Sequence, residues 1–460
     1  MRPVALLKFT FLLALEIGLC ASLNLYDDWT LAEMPVRFVA CGLACGIVFL
    51  AAVSQFPAGI SARKQALLFW GVAIVLRLIV LPLEPGDDFW RYQWEGRIQQ
   101  AHFNPYVQAP DDPALDGMRA EFPNWFKINH RHSQTIYPPG AELLFAGLSR
   151  LSSDPLVYKL IFSAADLATA GLLLLLLPAG QRYANAAWYA WNPLVVYSFA
   201  GSAHFDSLML LPMLAGVVLL VRFESALTPR AQWFLALGAS TLFGIAISIK
   251  LIPLLLLPLC VFALRSRAVT LALALALPGC LSLLYGWPQI HIWDSLRSFA
   301  YVTRLNDLFW WVIEETFWPN PRQKNYHYNV ITVVAVCAVS LLFFRNWKRG
   351  MLWVLGTALI LSPVLHPWYC TWILPFAVWR RAQPWQVLSV TLFAYFLFWN
   401  ERLFLLPWHS EMWLRGIIIL PPLVATVFFL VRETDSETAA VFTPEIIPPP
   451  AAGRDDPRAG

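Results

Sequence analysis

Apolar segments long enough to cross a lipid bilayer recur along the whole chain, and this recurrence limits what the sequence can fold into. A spanning helix needs roughly 20 such residues. Of the 460 residues, 58% are hydrophobic and 13% are charged, about half the charged fraction of a soluble protein. The sequence therefore predicts an all-α polytopic membrane protein with about 12–14 transmembrane helices. We place the spans near residues 4–22, 34–54, 66–83, 156–178, 184–200, 206–221, 232–249, 251–264, 268–286, 329–345, 351–366, 368–379, 385–400 and 412–432.

Basic residues mark one side of the predicted bundle. With the N-terminus in the cytoplasm, every cytoplasmic connection carries lysine or arginine, as the positive-inside rule requires. These residues are Arg63, Lys64, Arg182, Arg222, Arg230, Arg265, Arg267, Arg345, Lys348, Arg349, Arg380, Arg381 and Arg432. The net charge of +4 therefore reflects topology rather than a site for a polyanion, and no nucleic-acid partner is expected.

The same orientation puts the polar segments on the extracytoplasmic face. They are the loops 84–140 and 287–328, the turns at 201–206, 366–369 and 400–411, and Lys250. We divide the chain into N-terminal transmembrane helices at 1–65, a transmembrane domain at 66–432 and a disordered cytoplasmic tail at 433–460. The N-terminus is interpreted as a retained span rather than a signal peptide. Residues 138–152 predict a short amphipathic or re-entrant helix, because two prolines suit its start.

The first outer loop opens with two carboxylates, Asp87 and Asp88, which follow the third predicted span directly. A carboxylate that is partly desolvated by neighbouring aromatic rings can act as a general base, and such a base contributes about 10²–10⁴-fold to a rate. Arg91 and Glu95 follow Asp88 at helical spacing, so the three side chains share one helix face. A solvated loop carboxylate is the alternative interpretation of Asp88.

Two proline-containing turns in the same loop carry aromatic and amide side chains. Asn104 and Tyr106 belong to the motif NPY, and Tyr137 belongs to TIYPP. Because proline fixes the backbone, these residues predict the lining of a saccharide pocket, although simple turns explain them as well. No metal site is predicted, because neither the histidines of this loop nor the seven cysteines have metal-ligand spacing.

Lys250 interrupts a long apolar run. A charge within the bilayer costs about 2.5–3.5 kcal/mol on insertion scales, so an ionisable residue there is a functional candidate. Its ammonium group can hold a lipid phosphate as a point charge. A lysine that reaches to the membrane interface is the alternative.

Two further polar clusters lie at the outer ends of spans. His204 and Asp206 belong to AGSAHFDSL, and His366 and Tyr369 belong to HPWY. An imidazole at this depth can donate a hydrogen bond to a phosphate oxygen. An interfacial belt of aromatic residues is the alternative for HPWY.

Eight motifs occur in an order that resembles a known superfamily. They are DxxRYxWEGR at 88–97, NPY at 104–106, INH at 128–130, TIYPP at 135–139, WNPL at 191–194, HxD at 204–206, KxxP at 250–253 and HPWY at 366–369. The set resembles the GT-C superfamily of membrane glycosyltransferases. It is most similar to the polyprenyl-phosphate-mannose-dependent mannosyltransferases of glycosyltransferase family 87 and related lipoglycan enzymes. The likeness extends from about residue 66 to 400.

The resemblance implies an inverting hexosyltransferase of cell-envelope glycan biosynthesis in a bacterial plasma membrane. The enzyme moves one sugar, expected to be mannose, from a polyprenyl-phosphate donor to an extracytoplasmic glycolipid, glycan or protein. Loop 84–140 becomes the catalytic loop of a GT-C fold, and Asp88 becomes the general base. Lys250 and His366 are expected near the donor phosphate, with Arg91 as a second cation. The expected substrate-binding set is Asp87, Arg91, Glu95, Asn104, Tyr106, Tyr137, His204, Asp206, Lys250, His366 and Tyr369.

The alternatives from other classes are a transporter or flippase for a lipid-linked sugar and a ligase that moves a whole glycan. A transporter is expected to show inverted repeats and interrupted spans at matching positions in two halves, and the sequence has neither. The DxxRY and HPWY motifs fit a ligase less well. No cofactor is required by the resemblance, and a divalent cation remains an open possibility. Acceptor identity is not carried over, because His102 and residues 203–206 depart from the family's pattern.

Overall fold

A computed structural model describes residues 3–31, 33–321, 324–397 and 412–442, and within these ranges the chain is helical without strands. Most helices lie within the apolar runs that the sequence predicts as spans. The helices are α1 Pro3–Ser22, α2 Met34–Ser54, α3 Ala62–Val80, α4 Asp87–Gln100, α5 Asp116–Ala120, α6 Pro139–Leu151, α7 Pro155–Leu176, α8 Arg182–Ala190, α9 Pro193–Val196, α10 Asp206–Glu224, α11 Pro229–Ile249, α12 Leu257–Leu264, α13 Ala272–Leu284, α14 Asp294–Val302, α15 Trp310–Thr316, α16 Tyr326–Leu342, α17 Trp347–Ile360, α18 Leu374–Arg380, α19 Gln383–Thr391 and α20 Met412–Phe442. The prediction of an all-α polytopic membrane protein is confirmed.

Among the described residues, six helical segments are long and apolar enough to cross a membrane. They are Val4–Leu25, Met34–Ser54, Pro155–Leu176, Asp206–Glu224, Pro229–Ile249 and Ile252–Leu284, and α16 and α17 make a seventh if the pair, bent by 75°, is one span. Of the other predicted spans, 66–83 and 412–432 coincide with the continuous helices α3 and α20, whereas 184–200 and the described part of 385–400 change helix type along their length. The short helix predicted at 138–152 is confirmed as α6. The turn 400–411 and residues 443–460 lie outside the described residues, and α20 extends into the start of the predicted tail.

Two glycines allow the outer-loop helices to pack closely on the membrane helices. A Cβ on Gly96 of α4 would lie 2.2 Å from the backbone oxygen of Phe145 in α6. A Cβ on Gly140 of α6 would lie 2.6 Å from the backbone oxygen of Ser248 in α11. Both distances are shorter than van der Waals contact, so only glycine fits. Helix α6 therefore connects α4, which begins with Asp87, to the end of α11, which precedes Lys250.

A buried ion pair joins three helices inside the bundle. The Nε and Nη2 atoms of Arg77 in α3 donate to one carboxylate oxygen of Asp166 in α7, at 2.7 and 2.5 Å. The hydroxyl of Tyr189 in α8 donates to the other oxygen at 2.8 Å, and Arg77 also donates to the carbonyl of Ala190. These contacts satisfy both charges, as burial requires, and fix the end of α8.

The chain breaks its helix directly after α8. Asn192 accepts hydrogen bonds from the backbone N–H groups of Leu194 and Val195 and so caps α9, which begins at Pro193. Residues Tyr197–Gly201 then form a π-helical turn. Such turns occur at functional sites. This one leads into residues 202–205, where Ala203 has a positive φ of 59° and His204 turns into the bundle.

Candidate active site

Residues that are distant in sequence meet at one end of the bundle. Helix α4 contributes Asp87 and Asp88, the connection before α10 contributes His204, and α10 begins with Asp206. Lys250 follows α11, and a 3₁₀ segment at Pro367–Trp372 follows His366. Of the predicted set, Asp87, Asp88, His204, Asp206, Lys250, His366 and Tyr369 surround this site.

Asp88 is a partly exposed carboxylate within otherwise buried surroundings. Its side chain is 24% exposed, and its Oδ1 accepts a hydrogen bond of 2.7 Å from the Asn129 side-chain amide. Burial and the neighbouring carboxylate of Asp87 raise the pKa of Asp88 to about 7, although Asn129 and Lys250 act in the opposite direction. A carboxylate with a pKa near the working pH is suited to accept a proton from a hydroxyl group.

The guanidinium group of Arg91 donates mainly to backbone carbonyls and does not face the open part of the site. Its guanidinium group donates to the carbonyls of His130 and Ser133 at 2.9 and 2.6 Å and to Glu95 at 2.5 Å. The arginine is 4% exposed. This geometry favours a role in holding the loop that carries Asn129 over a role as second cation for a phosphate.

Glu95 lies in a buried carboxylate network behind the site. The hydroxyl of Thr135 lies 3.2 Å from Glu95 and 2.6 Å from Glu142. The Thr135 hydroxyl has a single proton and can donate it to one of the two carboxyl groups only. Its oxygen also accepts a hydrogen bond from the backbone N–H of Tyr137. The other carboxyl group must therefore be protonated and donate to the Thr135 oxygen. Burial and the charge of Glu95 raise the pKa of Glu142 well above its usual range, which identifies Glu142 as the neutral partner.

The two proline-containing turns, at 104–106 and 135–139, pack behind the candidate site. Asn104 donates to the carbonyl of Tyr285 at 3.1 Å, and the hydroxyl of Tyr106 donates to the carbonyl of Tyr137 at 2.6 Å. The ring of Tyr137 packs edge-on against Tyr92. These contacts tie the two turns to each other and to α4, behind the residues that surround Asp88.

Two imidazole rings and an indole ring form a stack beside Asp88. The ring centroids of His204 and Trp368 are 3.7 Å apart, and those of Trp368 and His366 are 4.3 Å apart. Burial lowers the pKa of His204 well below its usual range and that of His366 to about 3, with Lys250 contributing to both. Both histidines are therefore neutral at pH 7. The Nδ1 atom of His204 lies 3.9 Å from the Asp88 carboxylate.

Lys250 lies in an aromatic cage and is paired with a buried carboxylate. Its ammonium nitrogen is 2.5 Å from Asp206 Oδ1 and 4.8–5.2 Å from the ring centroids of Trp372, Tyr369 and Phe205. Aromatic faces attract a cation at this distance. Trp372 also donates to Asp206 Oδ1 at 2.5 Å. The lysine side chain retains 18% exposure, so the surrounding groups do not enclose it completely.

Asn129, Trp368, Trp372 and Tyr395 were not singled out as individual site residues by the sequence. Asn129 and Trp368 fall within the motifs INH and HPWY, which was the available signal. Tyr395 contacts His366 Nδ1 at 3.0 Å from an apolar segment that gives no such signal. Within the described ranges, no group of three histidine, cysteine or carboxylate side chains is arranged to hold a metal ion.

The chain was compared with known families, curated proteins and solved structures. A family model described as alpha-(1->6)-mannopyranosyltransferase, N-terminal domain (MptA_B family) matches residues 34–266, slightly more than half of the chain. No curated protein and no solved structure matches it. The match contains Asp88, His204, Asp206 and Lys250 and confirms the resemblance to membrane mannosyltransferases. The chain belongs to the alpha-(1->6)-mannopyranosyltransferase family and is a multi-pass membrane glycosyltransferase with a role in mannosyl transfer.

Proposed function

We propose that this protein is an inverting mannosyltransferase that uses a polyprenyl-phosphate-mannose donor on the extracytoplasmic face of a bacterial plasma membrane. The acceptor is a glycan or glycolipid hydroxyl. The observation that carries the proposal is the position of Asp88, a partly exposed carboxylate at the same end of the bundle as the partly exposed Lys250. In the proposed reaction, Asp88 accepts a proton and Lys250 stabilises the negative charge of the leaving group.

The reaction is a single displacement. Asp88 removes the proton of the acceptor hydroxyl, whose oxygen forms a bond with the anomeric carbon of mannose. The bond from that carbon to the phosphate oxygen breaks, and the polyprenyl phosphate leaves with the electron pair. Inversion of a β-linked donor gives an α-mannoside. The linkage in the family's description makes a primary 6-hydroxyl the expected nucleophile.

Lys250 and His366 are the proposed partners of the leaving phosphate. Stabilising the charge that develops in the transition state is usually the largest catalytic contribution. The Lys250 ammonium is paired with Asp206 and is the proposed contact of the phosphate. His366 is neutral, and if its Nδ1 accepts the hydroxyl proton of Tyr395, its other nitrogen carries the proton that a phosphate oxygen can accept.

Reconstitution in lipid tests the donor class and the base together. Purified protein is incubated with a crude lipid extract and either radiolabelled polyprenyl-phosphate-mannose or nucleotide-linked mannose. We expect a labelled glycolipid from the polyprenyl donor only, and a loss of about 10²–10⁴-fold in Asp88→Asn, the usual contribution of a general base. Asp116→Asn is the matched control, because Asp116 lies in the same outer loop with a largely exposed side chain.

The outcomes separate the parts of the proposal. Near-normal turnover by Asp88→Asn would remove Asp88 as the base. Transfer from the nucleotide-linked donor would contradict the proposed donor class. Release of free mannose from the polyprenyl donor would retain that donor class and show that the extract lacks the acceptor.

A further inference from the structure

The side-chain amide of Asn129 bridges the two adjacent carboxylates at the start of α4. Its Nδ2 atom lies 2.7 Å from Asp88 Oδ1 and 3.3 Å from Asp87 Oδ2. An amide group between two carboxylate oxygens must present its NH₂ to them, because its own oxygen would be repelled. Each proton of this NH₂ can serve one carboxylate, and the shorter contact belongs to Asp88.

Asn129 is held in place by the same helix whose carboxylates it contacts. Arg91 lies one turn after Asp88, and its Nη1 atom lies 2.9 Å from the carbonyl oxygen of His130 and 3.4 Å from that of Asn129. Its Nη2 donates to the carbonyl of Ser133. His130 has a positive φ of 44°, so the backbone turns sharply here. Glu95 fixes the guanidinium group from the other side.

Asp87 and Asp88 differ in what their other atoms do. Asp87 Oδ1 accepts a hydrogen bond of 3.1 Å from the backbone N–H of Asp88. The first residues of a helix have N–H groups without partners inside the helix, so Asp87 satisfies one of them. Asp88 Oδ2 points toward His204 at 3.9 Å. Within the described part of the chain, it is Asn129 that donates a hydrogen bond of 2.7 Å to the Asp88 carboxylate.

We propose that Asn129 is a positioning residue that keeps Asp88 ionised and oriented as the base, and that the Arg91–Glu95 pair anchors it for this purpose. A hydrogen bond donated to a carboxylate stabilises its charged form. The titratable and charged groups around Asp88 include the carboxylates of Asp87 and Asp206, the ammonium of Lys250, the nearby His204 and the hydroxyls of Tyr92, Tyr137 and Tyr369. Of the charged groups, Lys250 favours the ionised form of Asp88 and the two carboxylates oppose it, so loss of Asn129 leaves the ionised form with less support.

The titration of Asp88 can be measured without any substrate. Infrared difference spectra of the protein in lipid, taken across pH, contain a carboxylic acid band that Asp88→Asn removes. We expect the midpoint of this band to rise by about one pH unit in Asn129→Ala, since one hydrogen bond to the charged form is lost. Asn129→Asp should raise it further, because a third carboxylate replaces the donor. Gln134→Ala is the control; Gln134 lies in the same loop and donates to the Val107 carbonyl.

Transfer kinetics supply a second readout. Transfer requires ionised Asp88, and the pH dependence of kcat/KM reports groups of the free enzyme. The pH at which wild-type kcat/KM reaches half its plateau should therefore lie near the midpoint of the infrared band. We expect this pH to rise by the same interval in Asn129→Ala, with activity regained at higher pH. If Asn129→Ala lost the same fraction of transfer activity at every pH, and neither the infrared nor the kinetic midpoint moved, Asn129 would have a structural role only and the proposal would be overturned. An unchanged pH profile and rate would overturn it as well.

The inference rests on the proposed function, because it assigns a base to Asp88. The two can still fail separately. An infrared midpoint that moves in the Asn129 variants, together with normal transfer by Asp88→Asn, would refute the base assignment and retain the contact between Asn129 and Asp88. A midpoint that does not move, together with loss of transfer in Asp88→Asn, would retain the base and refute the role of Asn129.

Discussion

Lys250 and Asp206 combine a structural role and a proposed catalytic role in one ion pair. Asp206 is fully buried, and Lys250 is largely buried. Only one carboxylate oxygen of Asp206 has hydrogen-bond partners among the described residues. Removal of one partner of a buried pair leaves an unpaired charge and typically costs about 3–5 kcal/mol of stability. Loss of activity in a single variant would therefore not separate the two roles.

A double substitution separates them. We expect Lys250→Met to lower both the melting temperature and the transfer rate, because Asp206 is left charged and unpaired and the phosphate loses its cation. The double variant Lys250→Met with Asp206→Asn should regain most of the melting temperature and remain inactive. Thermal unfolding in detergent and transfer from the lipid donor are the two measurements. Recovered transfer in the double variant would contradict a role for the Lys250 charge in catalysis.

The sequence predicts single residues where a polar group stands against an apolar background. Lys250, His204, Asp206 and His366 satisfy this condition, and the structure brings them together. Asn129 lies in a loop that is polar throughout, so its type alone did not distinguish it from its neighbours. The partners of Arg91 were also not predictable, because they are backbone carbonyls some 40 residues away.

At the scale of elements, the break between α8 and α9 marks the limit of sequence prediction. Hydropathy predicts one span over 184–200, and the chain instead forms two helices and a π-helical turn. Asn192 and Pro193 indicate a helix start in the sequence. Whether such a start interrupts a span depends on partners for the freed polar groups. Here the side-chain oxygen of Asn192 accepts from the freed backbone N–H groups of Leu194 and Val195. Gln386 and Ser389 hold Asn192 in place by accepting from its side-chain NH₂ at 3.1 and 2.8 Å.

The second outer loop holds the segment that carries His366. Leu305 donates to the carbonyl of Pro363 and accepts from the N–H of Leu365, at 3.0 and 2.9 Å. The amide of the buried Asn306 donates to the Leu365 carbonyl at 3.1 Å. The indole of Trp310 donates to the Leu361 carbonyl at 2.7 Å. Residues 305–310 thus fix the backbone directly before His366.

Substitution of Asn306 tests this positioning. Asn306 has a φ of 51°, which glycine adopts without strain, so Asn306→Gly removes the amide and keeps the backbone conformation. One lost hydrogen bond of about 1 kcal/mol predicts a decrease in kcat of roughly five-fold. Asn124→Gly in the first outer loop is the control. A lower melting temperature with unchanged kcat would assign Asn306 to stability alone.

At the scale of the whole molecule, the site is completed by parts of the chain outside the family match. The match ends at residue 266, while His366 and the 3₁₀ segment that follows it, with Trp368, Tyr369 and Trp372, come later in the chain. The two parts meet where Lys250 contacts Tyr369 and Trp372. The second half of the chain therefore supplies side chains to the candidate site that the matched half does not contain.

The orientation of the molecule in the membrane decides which donors can reach Asp88. The basic connections predict that the site faces the extracytoplasmic side. This orientation can be tested by placing single cysteines in a variant that lacks the seven native cysteines. Asp116 lies in the first outer loop, whereas Ser225 lies in the connection between α10 and α11, at the end of these helices that is remote from Asp206 and Lys250. Both positions are exposed. We expect a membrane-impermeant maleimide to label Asp116→Cys in right-side-out vesicles and Ser225→Cys only in inside-out vesicles.

The reverse pattern would have a specific consequence. It would put Asp88 and Lys250 on the cytoplasmic face, where nucleotide-linked sugars are available and a lipid-linked donor is not needed. The expected pattern leaves the site without access to such donors and agrees with the proposed lipid-linked donor. In the proposed reaction, negative charge develops on the leaving phosphate, and a neighbouring cation stabilises it. Lys250, held between Asp206 and aromatic rings at the end of α11, is the cation proposed for that role.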